Sequence, residues 1–115
     1  MFLQQGDQLL VSHRRQFSHE ETRYFLGTVA AYEDGLAKVN GYSFVRDVAS
    51  GDVLRKEDRR TKIISLNAGS MIIYELPRDT DVEAATFAFN DGDMSLTDGK
   101  TLHMNMSELV HAGHI

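Results

Sequence analysis

The chain has 115 residues, 42% of them hydrophobic, enough for one modest core and too few to favour a second independent domain. A formal charge of −5 and a pI near 5.4 argue against indiscriminate attraction to phosphate backbones, so any nucleic-acid contact has to be local. The lack of cysteine excludes disulfides, thiolate metal sites and cysteine nucleophiles, and it suits a reducing compartment.

The first residues, MFLQQGD, are too short and too polar for a signal peptide, and no apolar run approaches the roughly 18 residues of a membrane span. The expectation is a soluble, cytoplasmic protein with no membrane partner. Nine glycines against one proline, with few helix-period stretches, favour short strands joined by turns. The fold class expected is mostly β.

In chain order, Gly6-Asp7 is a turn leading into a first strand from Gln8 to Phe17, whose apolar run Leu9-Leu10-Val11 gives way to His13-Arg14-Arg15. Ser18 to Thr22 is a polar connection. Arg23 to Glu33 and Leu36 to Tyr42 then flank Asp34-Gly35, a pair that supplies the positive φ angles of a tight hairpin. Strict alternation would set Phe25, Val29 and Ala31 on one face of this hairpin and Leu26, Ala30 and Tyr32 on the other, so it should be central. Gly27 inside the first arm predicts a sharp bend or a close backbone approach.

Ser43 to Val48 can continue the third strand. Residues 49–62 bring a Ser-Gly-Asp turn and the charge cluster RKEDRRTK, which reads as a solvated loop or strand end. Ile63 to Leu66 and Met71 to Leu76 read as two short strands around Asn67-Ala68-Gly69-Ser70, with Pro77 ending the second. After a turn or single helical turn at Arg78 to Glu83 come Ala84 to Phe89, Met94 to Thr97 and Thr101 to Met106. In the last of these Leu102, Met104 and Met106 alternate with Thr101, His103 and Asn105 as a half-buried strand does. Ser107 is placed to cap a short final helix.

Gly27-Thr28-Val29-Ala30-Ala31-Tyr32-Glu33, with Leu36 beyond the turn, resembles the first motif of the Sm/LSm family of small bent-sheet barrels. Gly69-Ser70-Met71-Ile72-Ile73-Tyr74-Glu75-Leu76-Pro77 resembles the second, and together the likeness covers roughly residues 6 to 78. The resemblance implies a strongly bent five-stranded antiparallel barrel over residues 1–83, with 84–115 as a C-terminal β-hairpin extension packed on the same domain. It further implies a non-enzymatic, oligomeric binding module whose partner is single-stranded RNA, with Glu33, Leu36 and Gly69 as RNA-binding positions. Ala37 and Ala68 stand where uridine-binding members carry asparagine and arginine, and neither can hydrogen-bond a base edge. A scaffold that kept the assembly and lost the RNA pocket is the alternative.

Sm-like proteins close into rings by pairing the fourth strand of one subunit with the fifth of the next, which here makes Ile63, Ile64, Leu66, Met71, Ile72, Ile73 and Tyr74 the subunit-interface candidates. If the end of the first strand and the charged stretch share one side, Arg14, Arg15, Arg55, Lys56, Arg59, Arg60 and Lys62 would line a cationic rim able to engage phosphates. Internal salt bridges are the competing use of these side chains. Glu108, His111 and His114 stand three apart, yet no fourth ligand lies near in sequence, and Asp91, Asp93 and Asp98 lack the ligand alternation of a calcium loop. No metal and no cofactor are expected. Ser12-His13 and Ser18-His19 are adjacent pairs, but neighbours on a strand point to opposite faces, and the carboxylate pairs Glu20-Glu21 and Glu57-Asp58 fall in polar stretches, so catalytic residues are not expected either.

Overall fold

The computed structural model describes residues 3–13, 23–47, 49–67, 69–90 and 93–106. Arg14, Arg15, Ala68, the SHEET connection, Ser107 and the Glu108, His111 and His114 triplet lie outside them. The described chain is mostly β and antiparallel. Its strands are β1 (Gln8–His13), β2 (Arg23–Glu33), β3 (Leu36–Arg46), β4 (Val53–Arg55), β5 (Arg60–Ser65), β6 (Met71–Leu76), β7 (Thr86–Asn90), β8 (Asp93–Thr97) and β9 (His103–Asn105).

The hairpin of β2 and β3 is the centre of the first sheet. Asp34 at φ 48° and Gly35 at φ 78° form its turn, and Glu33 pairs with Leu36 across it. β1 pairs with the outer side of β2, and β6 pairs with β1. β3 carries two partners along its length: β5 beside Leu36 to Gly41, and β4 beside Phe44 to Arg46. The sheet order is therefore β4-β3-β2-β1-β6, with β5 also on β3.

Two expectations need correction. The strand expected from Ile63 starts earlier, at Arg60, so the charge cluster holds the ends of two strands as well as a loop, and a short β4 precedes it; among the described residues the first sheet thus has six strands. Nor is the barrel closed, since β5 and β6 do not pair with each other among the described residues. The sheet is open.

Gly27 and Gly41 face each other in register. A Cβ on Gly27 would come within 2.7 Å of the Asn40 carbonyl oxygen, and one on Gly41 would overlap the Leu26 carbonyl and reach 2.5 Å from the Gly27 Cα. The backbones approach too closely here for any side chain, as expected where a sheet is bent. Two positions on, a bulge between Val29 and Ala31 inserts an extra residue. The bulge overturns the simple alternation: Ala30 and Ala31 are both exposed, and Tyr32 follows Val29 onto the inner face.

Each face of this sheet buries its own cluster. On one, Leu9, Val11, Phe25, Val29, Ala37, Val39 and Ile64 pack together with Leu3, and Tyr32, Leu66, Met71 and Ile73 lie against them. Among the described residues, the cover over this group comes almost wholly from the sheet's own side chains, which requires the sheet to curl. On the other face, Leu10, Tyr24, Leu26, Phe44, Val53 and Leu76 meet Met94, Leu96, Leu102 and Met106 from the second sheet, of order β7-β8-β9. Phe87 joins the two by stacking on Tyr24 at 4.9 Å and meeting Phe44 edge-on at 5.1 Å.

Two polar anchors fix the connections. The buried Asp7 carboxylate accepts from the Gln4 amide at 2.9 Å and pairs with Arg78, which also donates to the Gln5 carbonyl at 2.9 Å. The buried Asp98 carboxylate accepts backbone N–H groups from Asp81, Lys100, Thr101 and Leu102 at 2.8 to 2.9 Å. Those hydrogen bonds, led by the Asp81 amide, hold Asp98 down at a pKa of about 2. Asp98 is a turn residue, and its oxygens are taken up by backbone.

Candidate functional site

Three places bear on function: the rim at the β2–β3 turn, the basic stretch between β4 and β5, and the two edges of the curved sheet. At the rim, the Leu66 amide donates to the Gly35 carbonyl at 2.9 Å, so the loop after β5 is tied to the hairpin turn. The Asn67 amide group lies close enough to meet a Cβ on Gly35 at 3.2 Å. Glu33 and Leu36 are paired and exposed beside this junction, and Gly69, also exposed, belongs to the same loop with open space around it. Ala37, by contrast, is fully buried in the inner cluster. It is a core residue that leaves no polar group at the rim.

The basic stretch divides. Arg55 donates from Nη1 to the Glu83 carbonyl at 2.8 Å, and its guanidinium lies 4.6 Å from the Tyr42 ring centroid. Arg59 donates from Nε to Asn40 Oδ1 at 2.9 Å, forms an ion pair with the Glu83 carboxylate, and sits 5.5 Å from the same ring. Tyr42 completes the group by donating from its hydroxyl to Glu83 Oε2 at 2.7 Å. Asp81 caps the single 3-10 turn at Val82–Ala84 that carries Glu83, accepting from the Glu83 amide at 3.1 Å. Arg55 and Arg59 thus clasp the segment leading into the second sheet, and internal pairing accounts for both.

Arg60 pairs with Asp58 at 3.6 Å on the surface, where such a contact contributes little, and Lys56 is exposed. Lys62 goes elsewhere. Its Nζ lies 4.7 Å from the Phe25 ring centroid, half-buried at the end of the inner cluster. Burial, Arg23 and Arg60 lower its pKa, and burial, Lys62 and Arg23 lower that of His13. Neither His13 nor Arg23 stood out in the sequence as a partner of Lys62, because only the curl of the sheet brings β1, β2 and β5 together at this point.

β5 and β6 each pair on one side only among the described residues. Ile63 is 69% exposed on β5, diagonal to Leu36 at 48%, and Ile72 is 38% exposed on β6. Ile64 is buried, Leu66, Met71 and Ile73 pack half-buried against the inner cluster, and Tyr74 leans on the outer one. The second sheet covers a face and lies beside β4, and none of its strands hydrogen-bonds to β5 or β6 among the described residues.

Among the described residues no three metal-ligating side chains converge, and no helix is long and apolar enough to cross a membrane. Compared with protein-family models, curated proteins and solved structures, the chain has no match.

Proposed function

We propose that this chain is a non-enzymatic binding module that assembles with copies of itself through the β5 and β6 edges. One observation carries the reading: among the described residues the two ends of the curved sheet are both open, both carry exposed isoleucine, and the C-terminal sheet covers neither. An edge strand leaves a row of unpaired N–H and C=O groups, and natural proteins charge, shorten or cover such strands. Ile63 and Ile72 do the reverse on their outward faces. If β4 and β5 are counted as two pieces of one interrupted strand, the curved sheet has five strands with the fourth and fifth at its edges, the arrangement an Sm-like subunit needs.

Single-stranded RNA is the ligand that the resemblance implies, held through its backbone. The convergence of Glu33, Leu36 and the loop around Gly69 on one rim favours it, while the burial of Ala37 and the engagement of Arg55 and Arg59 by Glu83 favour a scaffold without base reading. Light scattering on the purified protein, run alongside binding of uridine-rich and adenine-rich single strands across a salt series, tests both. A multimer that Ile63→Lys reduces to monomer supports the assembly, and a wild-type monomer at high concentration overturns it. RNA bound by the multimer with a steep salt dependence supports the second reading; no binding at low salt leaves the scaffold.

A further inference from the structure

Among the described residues β5 and β6 are open edges of the curved sheet, and their charges differ in sign. β5 carries Arg60 and Lys62, and the one charged residue of β6 is Glu75. All three belong to the inner face. Val39 and Leu9, both buried in the inner cluster, stand directly across from Lys62 and Glu75 in the ladder, and Arg60 is two residues from Lys62 along its strand. The Lys62 ammonium accordingly rests 4.7 Å from the centroid of Phe25, a member of the same cluster.

None of the three has a buried counter-charge. Arg60 pairs with Asp58 at 3.6 Å on the surface, and among the described residues no carboxylate meets Lys62 and no ion pair engages the exposed Glu75. Burial, ahead of Arg23 and Arg60, already disfavours the charge on Lys62, and a strand laid along β5 withdraws more water from it. A charge on the inner face of an edge strand bars indiscriminate pairing, because the incoming strand must either answer that charge or leave it dry. A second β5 brings two more cations to the same face. β6 of another copy instead brings Met71 and Ile73 to continue the apolar cluster and Glu75 to answer the cations.

We propose that Glu75 of one copy pairs with Lys62 and Arg60 of the next, so that charge selects the contact between unlike edges, β6 on β5. The pairing rests on the edge-to-edge assembly proposed above and names the residues that make it selective. Opposite charges across a strand pair attract and like charges repel, so β5 disfavours β5, and β6 offers the Glu75 of a second β6 no cation. Each copy then receives its counter-charge from its neighbour.

The test is light scattering over a dilution series, at low and high salt, on wild type, Glu75→Lys, Glu75→Gln, Lys62→Glu and a 1:1 mixture of Glu75→Lys with Lys62→Glu, each variant first shown to fold by circular dichroism. Each charge reversal should raise the dissociation constant about tenfold or more, and Glu75→Gln should raise it less. High salt should weaken the wild-type contact. The mixture should recover most of the wild-type mass, because alternating copies set opposite charges at positions 62 and 75 in every contact, reversed in one and native in the next. Should Lys62→Glu not fold, the order wild type, Glu75→Gln, Glu75→Lys decides alone, since Glu75 is exposed and its replacement leaves the core intact. A wild-type multimer whose mass Glu75→Lys leaves unchanged, or reversed variants that stay dissociated on mixing, would overturn the pairing and leave the assembly standing. A wild-type monomer at high concentration would remove both.

Discussion

A methyl group on residue 41 would overlap the Leu26 carbonyl and press on the Gly27 Cα, both backbone groups that cannot rotate away. Gly41→Ala should therefore destabilise the protein by about 3 kcal/mol or more, at the upper end of what overpacking costs. The check is a urea midpoint that falls while the slope stays unchanged. Asp98 makes a different residue-scale prediction. Its folded pKa is about 2 against an ordinary 3.8, so the stability it contributes is complete above the ordinary value and is lost as pH falls through 2. Asp98→Asn replaces one acceptor oxygen by a donor facing backbone N–H groups, and it should lower Tm by a constant amount from pH 8 to 5. That difference should shrink as the pH drops from about 4 towards 2. A difference independent of pH throughout would mean that the charge on Asp98 is immaterial.

Among the elements, the clasp between the curved sheet and the second sheet turns on one exposed acid, Glu83. Its ion pair with Arg59 is solvent-facing, with side chains 41% and 58% exposed, so a double-mutant cycle over Arg59→Ala and Glu83→Ala should give a coupling of only about 0.5 to 1 kcal/mol, weakening with salt. A coupling of zero would leave Tyr42, the Arg55 hydrogen bond to the Glu83 carbonyl and the apolar contacts to hold the junction. Glu83 illustrates why part of this structure was hidden in the sequence: its partners Tyr42, Arg55 and Arg59 are distant along the chain, and a lone exposed glutamate carries no local signal. The β2–β3 hairpin was legible because Asp34-Gly35 dictates a turn chemically and Gly27 marks a close approach. The bulge was not, since Ala30-Ala31 offers no contrast in polarity to register a change of face. The start of β5 at Arg60 was hidden because an edge strand exposes charge as freely as a loop does. At the candidate site, Lys62 was visible as a cation, while its place over Phe25 depends on curvature that no local pattern encodes.

For the whole molecule, the decisive property of the proposed assembly is that its two edges differ. A contact between β5 of one copy and β6 of the next is heterologous: every copy offers one surface of each kind, and repetition gives a closed ring if the rotation closes or a filament if it does not. A contact of β5 with β5 would instead be isologous and stop at a dimer. The exposed residues allow the two to be separated. Ile63→Lys places a charge on the β5 edge and leaves β6 intact; Ile72→Lys does the converse, and neither touches a residue of the buried core. In the heterologous case each variant alone is a monomer, yet a 1:1 mixture should form a dimer and nothing larger, because one sound β5 edge meets one sound β6 edge and the remaining edges are both charged. In the isologous case Ile72→Lys alone stays dimeric, and mixing adds no new species. Mass measured by light scattering on the two variants and their mixture distinguishes these outcomes. Monomers that stay monomeric on mixing would sink the edge-to-edge assembly in either form.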